Sequence, residues 1–391
     1  MSVDTKYADF NSIAERLAET GKLKSLGGRP FLEKLMDGVA TVVHAAYHCE
    51  QVKKYHTKRE AIRIVNDGYN NLRRPNTEAV EQAAEVVRKL SDLTTQRSGQ
   101  KTPQEIHAES NERWVIAKEK KCLGFPSYWF PLDNLLGSYL PPEQIVIGAR
   151  PSCGKTMIVL EEAIHKAQME IPVAIASLEM DERSLRERMA GAMSKVSTFS
   201  MRKGEYTEED LNNINTAYDT IDKLPIYIND MRCSINEIEA WTTAMVAKHG
   251  IRMLFVDYLQ LIRKPKKYTT MNEVVGEWTA SIKELGKRLN ICTVVASQFS
   301  RSGRKEESKT PPAPSLEFLR DSGEIEQHAD IIILVYKRPG LDPSIFGTEA
   351  DWPMEWYVAK HRNGPTGKIN MMMCRKSQSY VSEHEYDMKD E

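Results

Sequence analysis

Residues Ala149-Arg150-Pro151-Ser152-Cys153-Gly154-Lys155-Thr156 stand between the apolar run Gln144-Ile145-Val146-Ile147 and a helix-like stretch at 157–168. A buried strand, a loop and a helix in that order make an anion cradle, because inward-turned backbone N–H groups and the helix dipole face one point. Ser152 and Cys153 lie on the loop, and Gly154 lets the backbone approach a ligand closely. Lys155, where the helix begins, can reach the β- and γ-phosphates of a nucleoside triphosphate, and the Thr156 hydroxyl can ligate Mg²⁺. The strict pattern opens with Gly; here that position is Ala149, with Gly148 one residue earlier. The chemistry indicated is nucleoside-triphosphate hydrolysis, with ATP and Mg²⁺ as the cofactors.

The remaining parts follow in chain order. The run 173–177 reads as a buried strand followed by Leu178-Glu179-Met180, so Glu179 stands at a strand tip where a carboxylate can activate an attacking water. By position alone it is also a first-turn helix charge ahead of Asp181 and Glu182. A second strand, 253–256, runs into Asp257, the Walker-B arrangement for holding Mg²⁺ directly or through water. A third, 291–296, leads to Ser297-Gln298, where Gln298 can either sense the γ-phosphate or simply end a strand in a polar residue. Helical patterns at 182–193, 208–222, 235–248 and 272–290 separate these strands. The alternation predicts an α/β fold with a mostly parallel sheet that binds its ligand at the carboxyl ends of the strands.

From about Gly124 onward these motifs resemble the motor domain of DnaB-type replicative DNA helicases, which are RecA-like ring ATPases. The resemblance is carried by Gly124-Phe125-Pro126 with Pro131-Leu132-Asp133-Asn134-Leu135-Leu136-Gly137, by Ala149 in the phosphate loop, by Ser177-Leu178-Glu179-Met180, by Asp257-Tyr258-Leu259-Gln260 and by Ser297-Gln298. Leu319-Arg320-Asp321-Ser322-Gly323-Glu324-Ile325-Glu326-Gln327 and Lys360-His361-Arg362-Asn363-Gly364-Pro365-Thr366-Gly367 complete it. It implies that Arg320, Asp321 and Gly323 face a ring's central channel and contact the backbone of single-stranded DNA. Asp321 departs from the Glu common at its position, and Arg320-Asp321 alone could be a surface ion pair. Lys360 and Arg362, at the tip of a hairpin formed by 356–359 and 368–373, would reach a neighbour's γ-phosphate, with Arg362 an arginine finger. The other reading is a solvated basic turn, and the choice between them requires an oligomer. Arg188 resembles the family's nucleotide-proximal arginine; an exposed helix arginine fits the pattern equally.

What the resemblance implies as a whole is a homo-hexamer on single-stranded and forked duplex DNA, translocating 5′ to 3′ with a primase and a helicase loader as partners. A strand-exchange filament protein or a KaiC-like signalling assembly shares the phosphate loop, the acids and the sheet. The segments at 320–323 and 360–367 favour the helicase over both. A third alternative is a partner-dependent subunit.

Composition sets limits. A chain of 391 residues, 41% hydrophobic, allows two or three compact units, and a formal charge of −1 excludes a surface coated with DNA-binding charge while permitting a local stripe. Six dispersed cysteines without a Cys-x-x-Cys pair read as reduced cytosolic thiols, giving no support to a fused zinc module. No signal peptide or membrane-length apolar run is present, so a soluble cytoplasmic protein is expected.

The expected division is an all-α N-terminal domain at 1–94, a linker with a helix at 95–120 and the motor at 121–391. Helices are expected at 8–23, 30–52, 56–70, 77–93 and, in the linker, 103–118, with breaks at 27–30 and 73–76. Glu19-Thr20-Gly21-Lys22-Leu23, Leu26-Gly27-Gly28 and Phe31-Leu32 resemble the second part of the family's N-terminal domain, whose earlier helices are expected to be missing. Family resemblance further implies that the linker helix packs on an adjacent motor. The polar runs 263–270 and 300–314 read as loops, and divergence at typical family positions fits a phage origin.

Overall fold

Short apolar runs become strands buried on both faces, and the stretches with helical periodicity pack over them. The computed structural model describes residues 10–19, 21–24, 26–37, 45–74, 78–94, 102–120, 122–264, 271–299, 316, 323–338 and 351–388. The chain divides into two units, Met1–Asn66 and Asp67–Glu391, a boundary that falls inside a helix.

The first unit holds α1 (Phe10–Glu19), α2 (Gly28–Asp37) and most of α3 (Ala45–Leu72), with α1 packed on α2. The expected pair of helices at 30–52 and 56–70 is corrected here: α2 stops at Asp37, and a single helix runs through the supposed break. Lys53-Lys54-Tyr55 contains no glycine, proline or capping residue, so nothing there stops a helix.

In the second unit α4 (Ala79–Thr94) packs on a later helix, and α5 (Pro103–Lys120) starts from Thr102, which exchanges hydrogen bonds with Glu105. α6 (Phe130–Leu136) precedes β1 (Gln144–Ala149) and α7 (Lys155–Gln168). Then come β2 (Val173–Ser177), α8 (Glu182–Ser194), α9 (Thr198–Lys203), α10 (Glu208–Ile221) and β3 (Ile226–Asn229). α11 (Ile235–His249), β4 (Met253–Asp257), α12 (Met271–Leu289) and β5 (Cys292–Gln298) follow. The chain ends through α13 (Gly323–His328), β6 (Ile331–Lys337), β7 (Trp352–His361), β8 (Gly367–Cys374), β9 (Ser379–Ser382) and α14 (Glu383–Asp387).

Among the described residues the strands form one sheet in the order β3-β2-β4-β5-β1-β6-β7-β8-β9. Pairing is parallel from β3 to β6 and antiparallel beyond it. Alternation of side chains sorts the core into two layers. Ile145, Ile147, Ile175, Phe255 and Ile333 pack under α7, α8 and α10, whereas Val146, Ala174, Leu254, Val295 and Leu334 pack under α11, α12 and α13. Both faces are therefore covered, which is why the central strands read as unbroken apolar runs. Unlike them, β3 sits at the sheet's edge with Tyr227 and Ile228 half-buried.

Candidate active site

β1 carries the chain to the centre of the sheet and stops at Ala149, where its carboxyl end opens on the loop 150–154. Gly154 closes that loop in the left-handed region (φ 68°), and α7 starts at the next residue with no side-chain cap, so its first amides are left to a ligand. Lys155 folds back over the loop: its Nζ donates to the carbonyls of Ala149 at 3.3 Å and Arg150 at 3.2 Å. Burial lowers its pKa, opposed chiefly by the Asp257 charge.

A cleft of about 760 Å³ lies over the loop. Of the residues singled out from sequence, Ser152, Gly154, Lys155, Thr156, Glu179, Arg188 and Gln298 line it. Cys153 is buried, and burial pushes its thiol pKa up. Asp257 sits 2% exposed at the tip of β4, and neither carboxylate oxygen has a hydrogen-bond partner that meets ordinary geometry. Burial raises its pKa, with the Thr156 hydroxyl as the largest opposing influence. Two orphaned buried oxygens beside a threonine hydroxyl are costly unless something cationic completes them, and they fit a hard divalent ion.

The strand tips are tied together. Leu178 N–H donates to the Asp257 carbonyl at 2.8 Å, and Ser177 Oγ donates to the Met180 carbonyl at 2.7 Å, which fixes the turn carrying Glu179. Asp181 then caps α8 by accepting from Ser184 N–H. Gln260, three residues beyond Asp257, donates to Ser297 Oγ at 2.9 Å and accepts from Gln298 N–H at 3.1 Å. Arg188, on α8, has its pKa lowered by burial, against the opposing charges of Asp257 and Glu179.

Sequence reasoning missed the cleft's far wall. Met373, Arg375 and Gln378 reach it from β8 and the turn after it, joined by Tyr258 and Arg202. Behind the loop stands Tyr380, fully buried, whose hydroxyl donates to the Cys153 carbonyl at 2.9 Å and whose N–H donates to Glu161. A Cβ on Gly154 would come within 2.9 Å of that ring. Trp129 and Trp356 pack edge-on to Tyr380, and Trp129 Nε1 donates to its carbonyl. Trp356, Met373, Arg375, Gln378 and Tyr380 come from the antiparallel strands and the turn between them, far along the chain, and no local motif announces them.

Lys360 and Arg362 lie elsewhere. β6 pairs in parallel with β1 so that Ala149 faces Val335, while Ile331 at the other end of β6 faces His361. Arg362 is thus near the amino end of β6, four residue steps or about 13 Å along the sheet from the level of the phosphate loop. It donates to Asp330 Oδ1 at 3.1 Å and its side chain is 51% exposed; Lys360 Nζ donates to the Glu326 carbonyl. The expected hairpin is formed by β7 and β8. Arg320 and Asp321 lie outside the described residues, and Gly323 is the first residue of α13.

A central parallel sheet, a phosphate loop after β1, carboxylates at the tips of β2 and β4 and a glutamine at the tip of β5 define a RecA-like ATPase. Residues 124–382 match the family model of the DnaB-like helicase C terminal domain, and the chain belongs to that family. It is 28% identical to replicative DNA helicase DnaB of Geobacillus stearothermophilus, over 96% of this chain and 83% of that one. The same figures hold for replicative DNA helicase DnaC of Bacillus subtilis (strain 168). A solved DnaB-like replicative helicase, described with its interactions with primase, superposes with a TM-score of 0.68 at 26% identity, covering 95% of this chain and 87% of the other. A second solved structure, described as an ATPase domain, superposes at 0.64, also 26% identical, over 73% of this chain and 99% of that domain. The chain is an ATP-dependent DNA helicase of the replicative class.

Proposed function

We propose that the chain assembles into a homo-hexameric ring around one DNA strand, moves 5′ to 3′ and unwinds the duplex at a replication fork by hydrolysing ATP between subunits. The observation that carries this reading is the separation of Arg362 from its own cleft by the length of a strand. Its guanidinium has no phosphate to meet within one chain, whereas a neighbouring copy can present one. The apolar side chains of Ile106, Trp114 and Val115 stand exposed on α5, which supports the linker helix docking on an adjacent motor.

In this reading the amides of Ser152, Cys153 and Gly154 hold phosphate oxygens and Lys155 neutralises charge at the β- and γ-positions. Thr156 and Asp257 would hold Mg²⁺, which when bound withdraws charge from the phosphates. Glu179 takes the proton of the attacking water, and Gln298 senses the γ-phosphate and passes its loss to Gln260. Arg188 lies against the base, and Lys360 and Arg362 enter from next door to stabilise charge in the transition state. Arg320, Asp321 and Gly323 contact the DNA backbone, each cycle drawing the strand along.

The working division is the helical region at 1–94, the linker at 95–120 and the motor at 121–391. A primase and a loader are the partners proposed for the ring, and the cytosol is its proposed location; among the described residues no helix is long and apolar enough to cross a membrane. Native mass combined with ATP-driven unwinding of forked DNA tests the proposal. A stable monomer that unwinds as fast as any ring would overturn it.

A further inference from the structure

Asp330 is a buried carboxylate whose two oxygens are divided between different parts of the fold. Oδ2 accepts from the backbone N–H of Gln144 at 2.8 Å and from Lys283 Nζ, so it is fastened to the start of β1 and to α12. Oδ1 accepts from Arg362 Nη1 at 3.1 Å, and the Asp330 carbonyl accepts from Arg362 N–H at 2.9 Å. Arg362 is the exposed member of the pair and Asp330 the buried one. A second hold comes from α13: Arg362 Nη2 donates to the Gln327 carbonyl at 3.4 Å and Lys360 Nζ to that of Glu326. These are last-turn carbonyls, where a helix favours cations. Asn363 Nδ2 adds a bond to Glu143 at 3.1 Å.

We propose that Asp330 is the positioning residue for Arg362, setting the direction in which the guanidinium leaves its own subunit and so the turnover of the neighbour's nucleotide. This rests on the reading of Arg362 as a group donated across a subunit boundary. A guanidinium with no anchor at its base samples many rotamers, and catalysis through it is then diluted over those that miss.

The test is ATP turnover by the assembled protein on single-stranded DNA, with γ-labelled ATP so that residual activity is measurable. Asp330→Asn alone strands the Lys283 ammonium in a buried site and risks unfolding. The paired variant Lys283→Met/Asp330→Asn removes both charges and is the one to assay. Its expected kcat is about ten- to a hundredfold below wild type, with KM for ATP within about twofold. Placed in an Arg362→Ala background, the same pair causes no further loss. An equal loss in both backgrounds, or full turnover by the paired variant, overturns the positioning role while leaving the arginine's own role standing. Wild-type turnover by Arg362→Ala itself overturns the trans-arginine reading, and the inference with it.

Discussion

The two ends of the sheet are built on opposite plans. At the carboxyl ends of the parallel strands, one loop of contiguous residues forms the candidate phosphate cradle, and each acid lies at or within two residues of the end of the strand that delivers it. At the amino ends, Glu143, Gln144, Lys283, Gln327, Asp330 and Arg362 come from scattered segments; the Gln144 to Asp330 bond spans 186 positions. The first end gathers the groups proposed to bind and hydrolyse the nucleotide, whereas Arg362, proposed as the arginine finger, stands at the second, away from the cleft of its own chain. The proposed ring would reconcile the two, because each copy would then complete its neighbour.

The sharpest way to break that comparison is to disable the carboxyl end alone. Lys155→Ala and Glu179→Gln are both expected to abolish unwinding. Glu179→Gln should retain nucleotide binding while turnover falls on the order of 10⁴-fold, the upper range for removing a general base. Filter binding alongside turnover checks the split. Unwinding at wild-type rate by the glutamine variant removes that carboxylate from the mechanism.

Disabling the amino end is expected to cost somewhat less, on the order of 10³-fold in kcat for Arg362→Ala. Mixing sharpens the test. An Arg362→Ala subunit keeps a sound cradle, and a Lys155→Ala subunit keeps a sound finger, so mixed rings contain some complete boundaries. ATP turnover should reappear on mixing two inactive preparations. If the arginine served its own nucleotide, mixing would restore nothing.

The same contrast explains what was legible in the sequence. The strands β1, β2, β4 and β5 and the helices between them stand out because both sheet faces are covered, leaving continuous apolar runs between polar turns. The loop 150–154 could be singled out as a candidate phosphate cradle because such chemistry depends on adjacent backbone amides. By contrast, β3 is a four-residue edge strand, and β9 and α14 are four and five residues long, too short for a period to emerge. Tyr380 and Arg375 were invisible for another reason: Arg375 reaches the cleft and Tyr380 the loop behind it only once the antiparallel strands β7, β8 and β9 have extended the sheet beyond β6. Periodicity alone also divided α3 at a place where no residue breaks a helix.

A smaller effect tests how the carboxyl end is braced from behind. Burial pushes the Glu161 carboxyl up to about 8, against the Tyr380 N–H and the charge of Lys195, with Glu162 adding to the rise. The folded chain thus keeps a proton that the unfolded chain releases near 4.5. Stability from this group is fully present below that lower value and is lost as pH rises through about 8. Glu161→Gln keeps an oxygen for the Tyr380 N–H and removes the titration. Melting curves from about pH 5 to about pH 9 should show wild type losing several degrees relative to the variant as pH rises. Parallel curves would mean that the carboxyl is not held neutral.

The least disruptive change lies at the join between the late antiparallel strands and the phosphate loop. Tyr380→Phe leaves the ring against Gly154 and the aromatic contacts with Trp129 and Trp356, and deletes only the hydroxyl that donates to the Cys153 carbonyl. A buried carbonyl losing its one side-chain donor costs about 1 kcal/mol. For a unit the size of Asp67–Glu391 that lowers Tm by about 1–2 °C. Because that carbonyl belongs to the residue before Gly154, the loop loosens where its amides must converge, and KM for ATP should rise while kcat at saturating ATP changes little. A fall in kcat with unchanged KM would place Tyr380 in the chemical step, whereas loss of stability with both constants intact would make it a brace for the fold alone.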